Sequence, residues 1–210
     1  IKNIAQREEV AEGFIIDKIL SGEIVIPDNS LHRNKRLTAI GSGMSVKINV
    51  NIGTSGDKSD IILEKEKIKL AEEMDADTVM DLSVGGDICR IRRELISNTV
   101  LPFGTVPVYQ VAAAEQHEPN TILGSNEDDF FDVLQQQAED GVDFFTIHAG
   151  INFEAVEKIK NSSRVLDVVS RGGALLFEWM EVNQKENPYY KNFERVLEIA
   201  RKYDITISLG

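Results

Sequence analysis

The sequence predicts an α/β fold of repeated βα units. About six units are visible, of the eight in a (β/α)8 TIM-type barrel, behind a small N-terminal helical segment. Two observations carry this. Short apolar or alternating runs recur along the 210 residues, each ending in polar residues and glycine. Between them lie stretches with helical periodicity, so that the runs follow one another at roughly 23 to 40 residues, the length of one βα unit. An open doubly wound sheet is the alternative, but no Gly-x-Gly-x-x-Gly follows the first run.

Residues 1–45 read as a helical and irregular segment, residues 46–210 as the partial barrel, strands one to six. Ile4, Val10, Phe14, Ile15, Ile19 and Leu20 mark one amphipathic helix over 1–24, closed by Ser21-Gly22. The polar cluster after it puts His32 in a solvated loop. Residues 46–53 alternate apolar and polar, so Lys47, Asn49 and Asn51 share a face, turned either to water or to a barrel axis. A helix over 60–75 leads to the second strand, 77–83. Asp87 then caps a helix over 88–97, whose Arg90, Arg92 and Arg93 form a solvated face. The third strand is placed at 105–110, with a ladder gap at Pro107. Residues 111–125 are loop and weak helix with an exposed His117, and an acidic helix over 126–140 is capped at Ser125 or Asn126.

Phe144-Phe145-Thr146-Ile147-His148-Ala149-Gly150 is the fourth strand, an apolar body with a histidine at its tip. After a helix over 152–161, Val165 to Gly173 forms the fifth strand. Helices follow over 174–184 and 188–203, the second started by Asn187-Pro188, and 205–210 is the sixth strand. A six-strand arc leaves two raw edges. The natural chain is therefore expected to continue beyond Gly210.

The formal net charge of −12 argues against nonspecific nucleic-acid or anionic-membrane partners. A locally positive pocket for a small anion remains open. The single cysteine, Cys89, allows no internal disulfide and no all-cysteine cluster; its plain role is a small residue in the first turns of a helix. No apolar run approaches the roughly 18 residues of a membrane span, and no signal-like segment opens the chain. A reducing, cytoplasmic setting is expected.

In a barrel the C-terminal strand ends share one mouth. It would collect Asn51, Met80 to Ser83, Tyr109, Gln110, His148, Ser170, Arg171 and the glycines after it. This set suits a polar, phosphorylated, nitrogen-rich small molecule. Arginine supplies a forked cation, and the amides of Arg171-Gly172-Gly173 can wrap an anion. A strand-end histidine such as His148 serves a site or sits satisfied in the core; Asn51 and Arg171 would equally suit structural capping. No Ser-His-Asp order, paired carboxylates or metal-ligand cluster stands out.

Lys47 to Ser55, Asp77 to Ser83 with Gly85-Gly86-Asp87, Gly104 to Gln110, Phe145 to Gly150 and Val169 to Gly173 closely resemble the phosphomethylpyrimidine synthase family (ThiC). Lys185-Glu186-Asn187-Pro188 and Ser208-Leu209-Gly210 fit it too. The resemblance is in order and covers nearly the whole chain. It implies a (β/α)8 barrel and a carbon–carbon lyase of the radical S-adenosylmethionine type in thiamine biosynthesis, which converts 5-aminoimidazole ribotide to hydroxymethylpyrimidine phosphate. It further implies a [4Fe–4S] cluster, S-adenosylmethionine, a divalent metal such as zinc, and a homodimer. The family's substrate-binding positions fall on Asn51, Met80, Tyr109, His148, Ser170, Arg171 and Gly172.

The departures lie in what is not here. The family's Asp-Gly-Leu-Arg motif would begin after Gly210; its later glutamate, two metal-binding histidines and Cys-x-x-Cys-x-x-x-x-Cys tail have no counterpart. The metal and cluster ligands are thus expected outside this chain, and the chain alone is expected to be inactive. Val50 and Phe103, where the family has Ala and often Val or Ile, leave open a paralogue resembling hydroxybenzimidazole synthase. A non-catalytic ribotide-binding relative is the reading from a different class.

Overall fold

A computed structural model of the chain describes residues 1–33, 35–113 and 121–210. The N-terminal segment holds two helices, α1 (Lys2–Glu8) and α2 (Glu12–Leu20), where one was expected. The break has a local cause: Glu9 adopts a left-handed conformation with φ 56°, which ends the first helix. Strands β1 (Ile24–Val25) and β2 (Ile40–Gly41) pair antiparallel. Ile4, Ala5, Ile15, Ile24 and Ala39 form a small core of their own.

The body then runs β3 (Asn49–Ile52), α3 (Ile61–Glu73), β4 (Thr78–Asp81), α4 (Ile88–Ile96), β5 (Phe103–Thr105), α5 (Pro107–Ala113), α6 (Thr121–Gly124), α7 (Glu127–Glu139) and β6 (Phe144–Ile147). It ends with α8 (Phe153–Lys160), α9 (Arg171–Asn183), α10 (Pro188–Lys191), α11 (Phe193–Tyr203) and β7 (Thr206–Leu209). Helix starts follow the caps. Asp60, Asp87 and Asn152 each accept from a first-turn amide, and Asn126 forms a full capping box with Asp129.

The five strands β3 to β7 form one parallel sheet in chain order. Its register puts Asn51, Met80, Gly104, Phe144 and Thr206 in one row. Alternation then gives the sheet two faces. Val79, Phe103, Phe145 and Ile147 pack against the helices in the main core. Asn49, Asn51, Thr78, Met80, Thr146 and Ser208 lie on the other face, which is largely polar. Among the described residues no helix is long and apolar enough to cross a membrane.

The sheet is compatible with part of a TIM-type barrel, but it has five strands where six were expected. The third strand sits earlier than expected, at Phe103–Thr105, and Pro107 opens a helix instead of interrupting a strand. Proline has no amide to donate and its fixed φ suits a helix start. The expected strand over 165–173 does not form. Residues 161–170 are irregular, and Val165, Leu166 and Val169 are 98%, 65% and 71% exposed. The reason lies in the pairing: β6 and β7 hydrogen-bond directly to each other, so no edge is free between them.

Two polar expectations also change. His32 is buried, not solvated: its Nδ1 lies 2.6 Å from Asp143 Oδ2. Arg92 is buried as well. Its Nη2 lies 2.5 Å from Asp140 Oδ2, and its Nη1 donates to Gln110 Oε1 at 2.5 Å. Gln110 therefore faces a buried network between helices and not the strand-end mouth. His117 lies outside the described residues.

Candidate functional site

His148 follows β6 directly and is 7% exposed. Its position is tight. A Cβ on Gly172 would lie 2.3 Å from His148 Cε1, and one on Gly210 would lie 3.3 Å from His148 Cδ2. The ring is thus wedged between the first turn of α9 and the end of β7. Only glycine at 172 leaves room for it. His148 Nδ1 is buried and, among the described residues, has no hydrogen-bond partner. Burial also lowers the His148 pKa, since the charged form loses hydration, so the ring is neutral at pH 7. A buried, neutral, unpartnered ring nitrogen is costly unless a ligand satisfies it.

Ser170, Arg171 and Gly172 do not end a strand, as expected; they start α9. Ser170 is the N-cap, and its hydroxyl accepts from Gly173 N at 3.1 Å. The Arg171 and Gly172 amides then belong to the helix start, which has no intrahelical acceptor for them and favours an anion. The turn expected to wrap an anion is thus the first turn of a helix. Arg171 is exposed, and its guanidinium carbon sits 5.0 Å from the centre of the Tyr109 ring. Tyr109 comes from α5, and its ring holds the arginine in a cation–π contact.

Tyr109, His148, Ser170, Arg171 and Gly172 are thereby linked in a chain of contacts. A cavity of about 290 Å³ adjoins His148 and Ser170, lined also by Ile151, Arg164, Asp167 and Gly173. Asn51 and Met80 are placed differently. Asn51 is exposed on β3, where its Oδ1 accepts from Asn49 Nδ2 at 2.9 Å; Met80 is its half-buried neighbour on β4. They lie on the polar face of the sheet, and their interactions run along β3 and β4 and not toward His148.

The loops above β3 and β4 are stitched together. Thr54 N donates to Ser83 Oγ at 3.0 Å, and Ser83 Oγ in turn donates to Asp81 Oδ1 at 2.5 Å. Burial pushes the Asp81 carboxyl up, partly offset by the bonds from Ser83. Two residues of the Lys185 to Pro188 stretch, which the sequence had marked as family-like and as a helix start but not as site residues, also reach the loop of His148. Glu186 and Asn187 bond to the loop that carries His148.

The described residues thus form a parallel α/β sheet in which a buried histidine at one strand end lies beside a helix N-terminus with an arginine, and in parallel α/β folds the C-terminal strand ends are where ligands are held. Comparison with known proteins narrows this. The Radical SAM ThiC family matches residues 1–210, and the chain belongs to that family. It is 49% identical over 207 residues to the phosphomethylpyrimidine synthase of Thermoanaerobacter sp. (strain X514), covering 99% of this chain and 48% of that protein. The phosphomethylpyrimidine synthases of Caldanaerobacter subterraneus subsp. tengcongensis and Moorella thermoacetica are 48% and 44% identical over 210 residues, each covering 100% of this chain and 49% of theirs. The chain spans about half the length of the curated relatives it matches.

Proposed function

We propose that this chain carries the ribotide-binding part of a phosphomethylpyrimidine synthase, which acts on 5-aminoimidazole ribotide in thiamine pyrimidine synthesis. The observation that carries this reading is the buried, unpartnered His148 ring beside the Arg171 end of α9. In this reading Arg171 and the first amides of α9 take the phosphate, with Tyr109 restraining the guanidinium. Neutral His148 forms a hydrogen bond to the ligand that its Nδ1 otherwise lacks. Asn51 and Met80 contact the ligand from β3 and β4, the asparagine by hydrogen bonds and the thioether by packing. Residues 46–210 supply the site, while residues 1–45 brace the other end of the sheet.

S-adenosylmethionine and an iron–sulfur cluster are implied by the family's name. The residues present do not fit a cluster. Cys89 is the single cysteine, and it hydrogen-bonds to Gln136 at 3.2 Å. Among the described residues no group of three or more His, Cys, Asp or Glu can hold a metal ion. The homodimer and the divalent metal implied by the resemblance belong to the same proposal.

Calorimetry of the chain with 5-aminoimidazole ribotide tests the reading. His148→Ala and Arg171→Ala should each weaken binding about tenfold or more, the effect of losing one hydrogen bond to a charged or buried partner. Unchanged affinity in both would sink the site.

A further inference from the structure

We propose that Glu186 and Asn187 are positioning residues for His148, forming a clamp from the α9–α10 connection that fixes the loop on which the imidazole is carried. This rests on the reading that His148 meets the ligand.

The geometry is specific. Asn187 is 0% exposed. Its Nδ2 donates to His148 O at 2.8 Å and to Ile151 O at 2.8 Å, using both of its hydrogens. Its Oδ1 accepts from Tyr189 N at 3.0 Å, so the side chain is locked on the other side as well. Glu186 Oε1 accepts from Asn187 N at 2.9 Å, and both its carboxylate oxygens lie 3.3 Å from Phe153 N. Two adjacent side chains thus hold three backbone points of one loop, at residues 148, 151 and 153.

This pinning has weight because the ring Nδ1 of His148 has no hydrogen-bond partner among the described residues, and the remaining bonds beside it are backbone ones at residues 147, 149 and 150. Ring position then follows from the backbone behind it and from packing against Gly172 and Gly210. A side chain directed by packing and outer hydrogen bonds is the usual requirement for a site held to tolerances below an ångström. An N-cap for α10 would need only the Asn187 acceptor. The two donated bonds run in the opposite direction, to the histidine loop, and a cap does not explain them.

Asn187→Ser separates the two roles. A serine hydroxyl keeps the cap but cannot reach both carbonyls. The first readout needs no ligand: the imidazole resonances of His148 in labelled protein, followed against pH. They should move from their wild-type positions, with a titration midpoint nearer that of an ordinary histidine, because the ring gains water. Arg164 and Asp167, the charged residues lining the adjoining cavity, are unchanged in the variant. The second readout is affinity for 5-aminoimidazole ribotide, expected to fall about tenfold in the folded variant.

Unmoved His148 resonances, or moved resonances with wild-type affinity, would overturn the proposal. If Asn187→Ser fails to fold, Glu186→Ala takes both readouts, with smaller shifts of the same sign expected and unmoved resonances again decisive against the clamp. Should the wild-type chain not bind the ribotide, the functional reading fails, while the resonances alone still decide whether the pair holds His148.

Discussion

The foot and the tip of β6 each carry a buried ionisable side chain, and the two are treated in opposite ways. At the foot, Asp143 is 0% exposed and fully served. It accepts from Asn29 N at 2.9 Å and Phe103 N at 2.7 Å, and His32 Nδ1 and Lys35 Nζ lie 2.6 and 3.2 Å from its oxygens. At the tip, His148 is almost as buried, yet its Nδ1 has no partner. The satisfied end ties the N-terminal segment to the sheet. The unsatisfied end is held from behind and left open in front. On the proposed function, stability and ligand chemistry are separated along one strand, as strand feet and strand ends are in parallel α/β folds.

The largest effect that would break this contrast is at the foot. Asp143→Ala takes the carboxylate from His32 Nδ1 and from the buried amides of Asn29 and Phe103, and leaves Lys35 only Asp28 and two backbone carbonyls. It should cost about 3–5 kcal/mol of stability in denaturant unfolding. A cost under about 1 kcal/mol would mean that the foot is not the anchor described.

At the tip, Gly172→Ala should leave the fold intact but push the His148 ring aside, since the added Cβ would lie 2.3 Å from it. Ribotide affinity should fall more than stability does. Equal binding by wild type and variant would break the link between α9 and the histidine.

A smaller effect comes from pH. The folded His148 pKa lies below its unfolded value, so the unfolded chain takes up this proton first as pH falls. The resulting stability is present above the unfolded value of about 6.5 and is lost as pH falls through the folded pKa. His148→Gln should therefore lose less stability than wild type between pH 7 and pH 5. Parallel curves would place the ring in water.

Tyr189→Phe should be the smallest change. The Tyr189 hydroxyl is buried without a partner, among Phe130 and Phe131. Its removal should be neutral or stabilising by up to about 1 kcal/mol in thermal unfolding. A clear loss would reveal a hydrogen bond that the hydroxyl makes.

Legibility in the sequence followed the same division. The runs at 46–53, 77–83, 143–150 and 205–210 each contain a strand, because alternation and glycine stops are local signals. The caps at Asp87 and Asn126 were readable for the same reason. Val165 to Val169 has strand composition, but whether a strand forms depends on a free neighbour, and β6 and β7 already occupy each other. His32 and Arg92 looked solvated because their partners, Asp143 and Asp140, lie far along the chain. His148 was legible as a candidate through its strand-end position, and Arg171 through the glycines beside it, although the strand expected to carry Arg171 does not form. Asn187 was not, since its local role as a helix start gives no sign of the loop that its amide reaches.

The strand order β3-β4-β5-β6-β7 follows the order of synthesis. Each new strand on the ribosome can add to the edge just made, and none has to be inserted between two that already exist, which favours rapid domain-wise folding. The tie from Asn29, His32 and Lys35 breaks that rule, because its acceptor arrives only with residue 143. That tie must wait while about a hundred residues emerge, roughly 5–20 s at ordinary elongation rates, whereas the contacts of Arg36 and Thr38 with Asp75, Ala76 and Asp77 can form well before it.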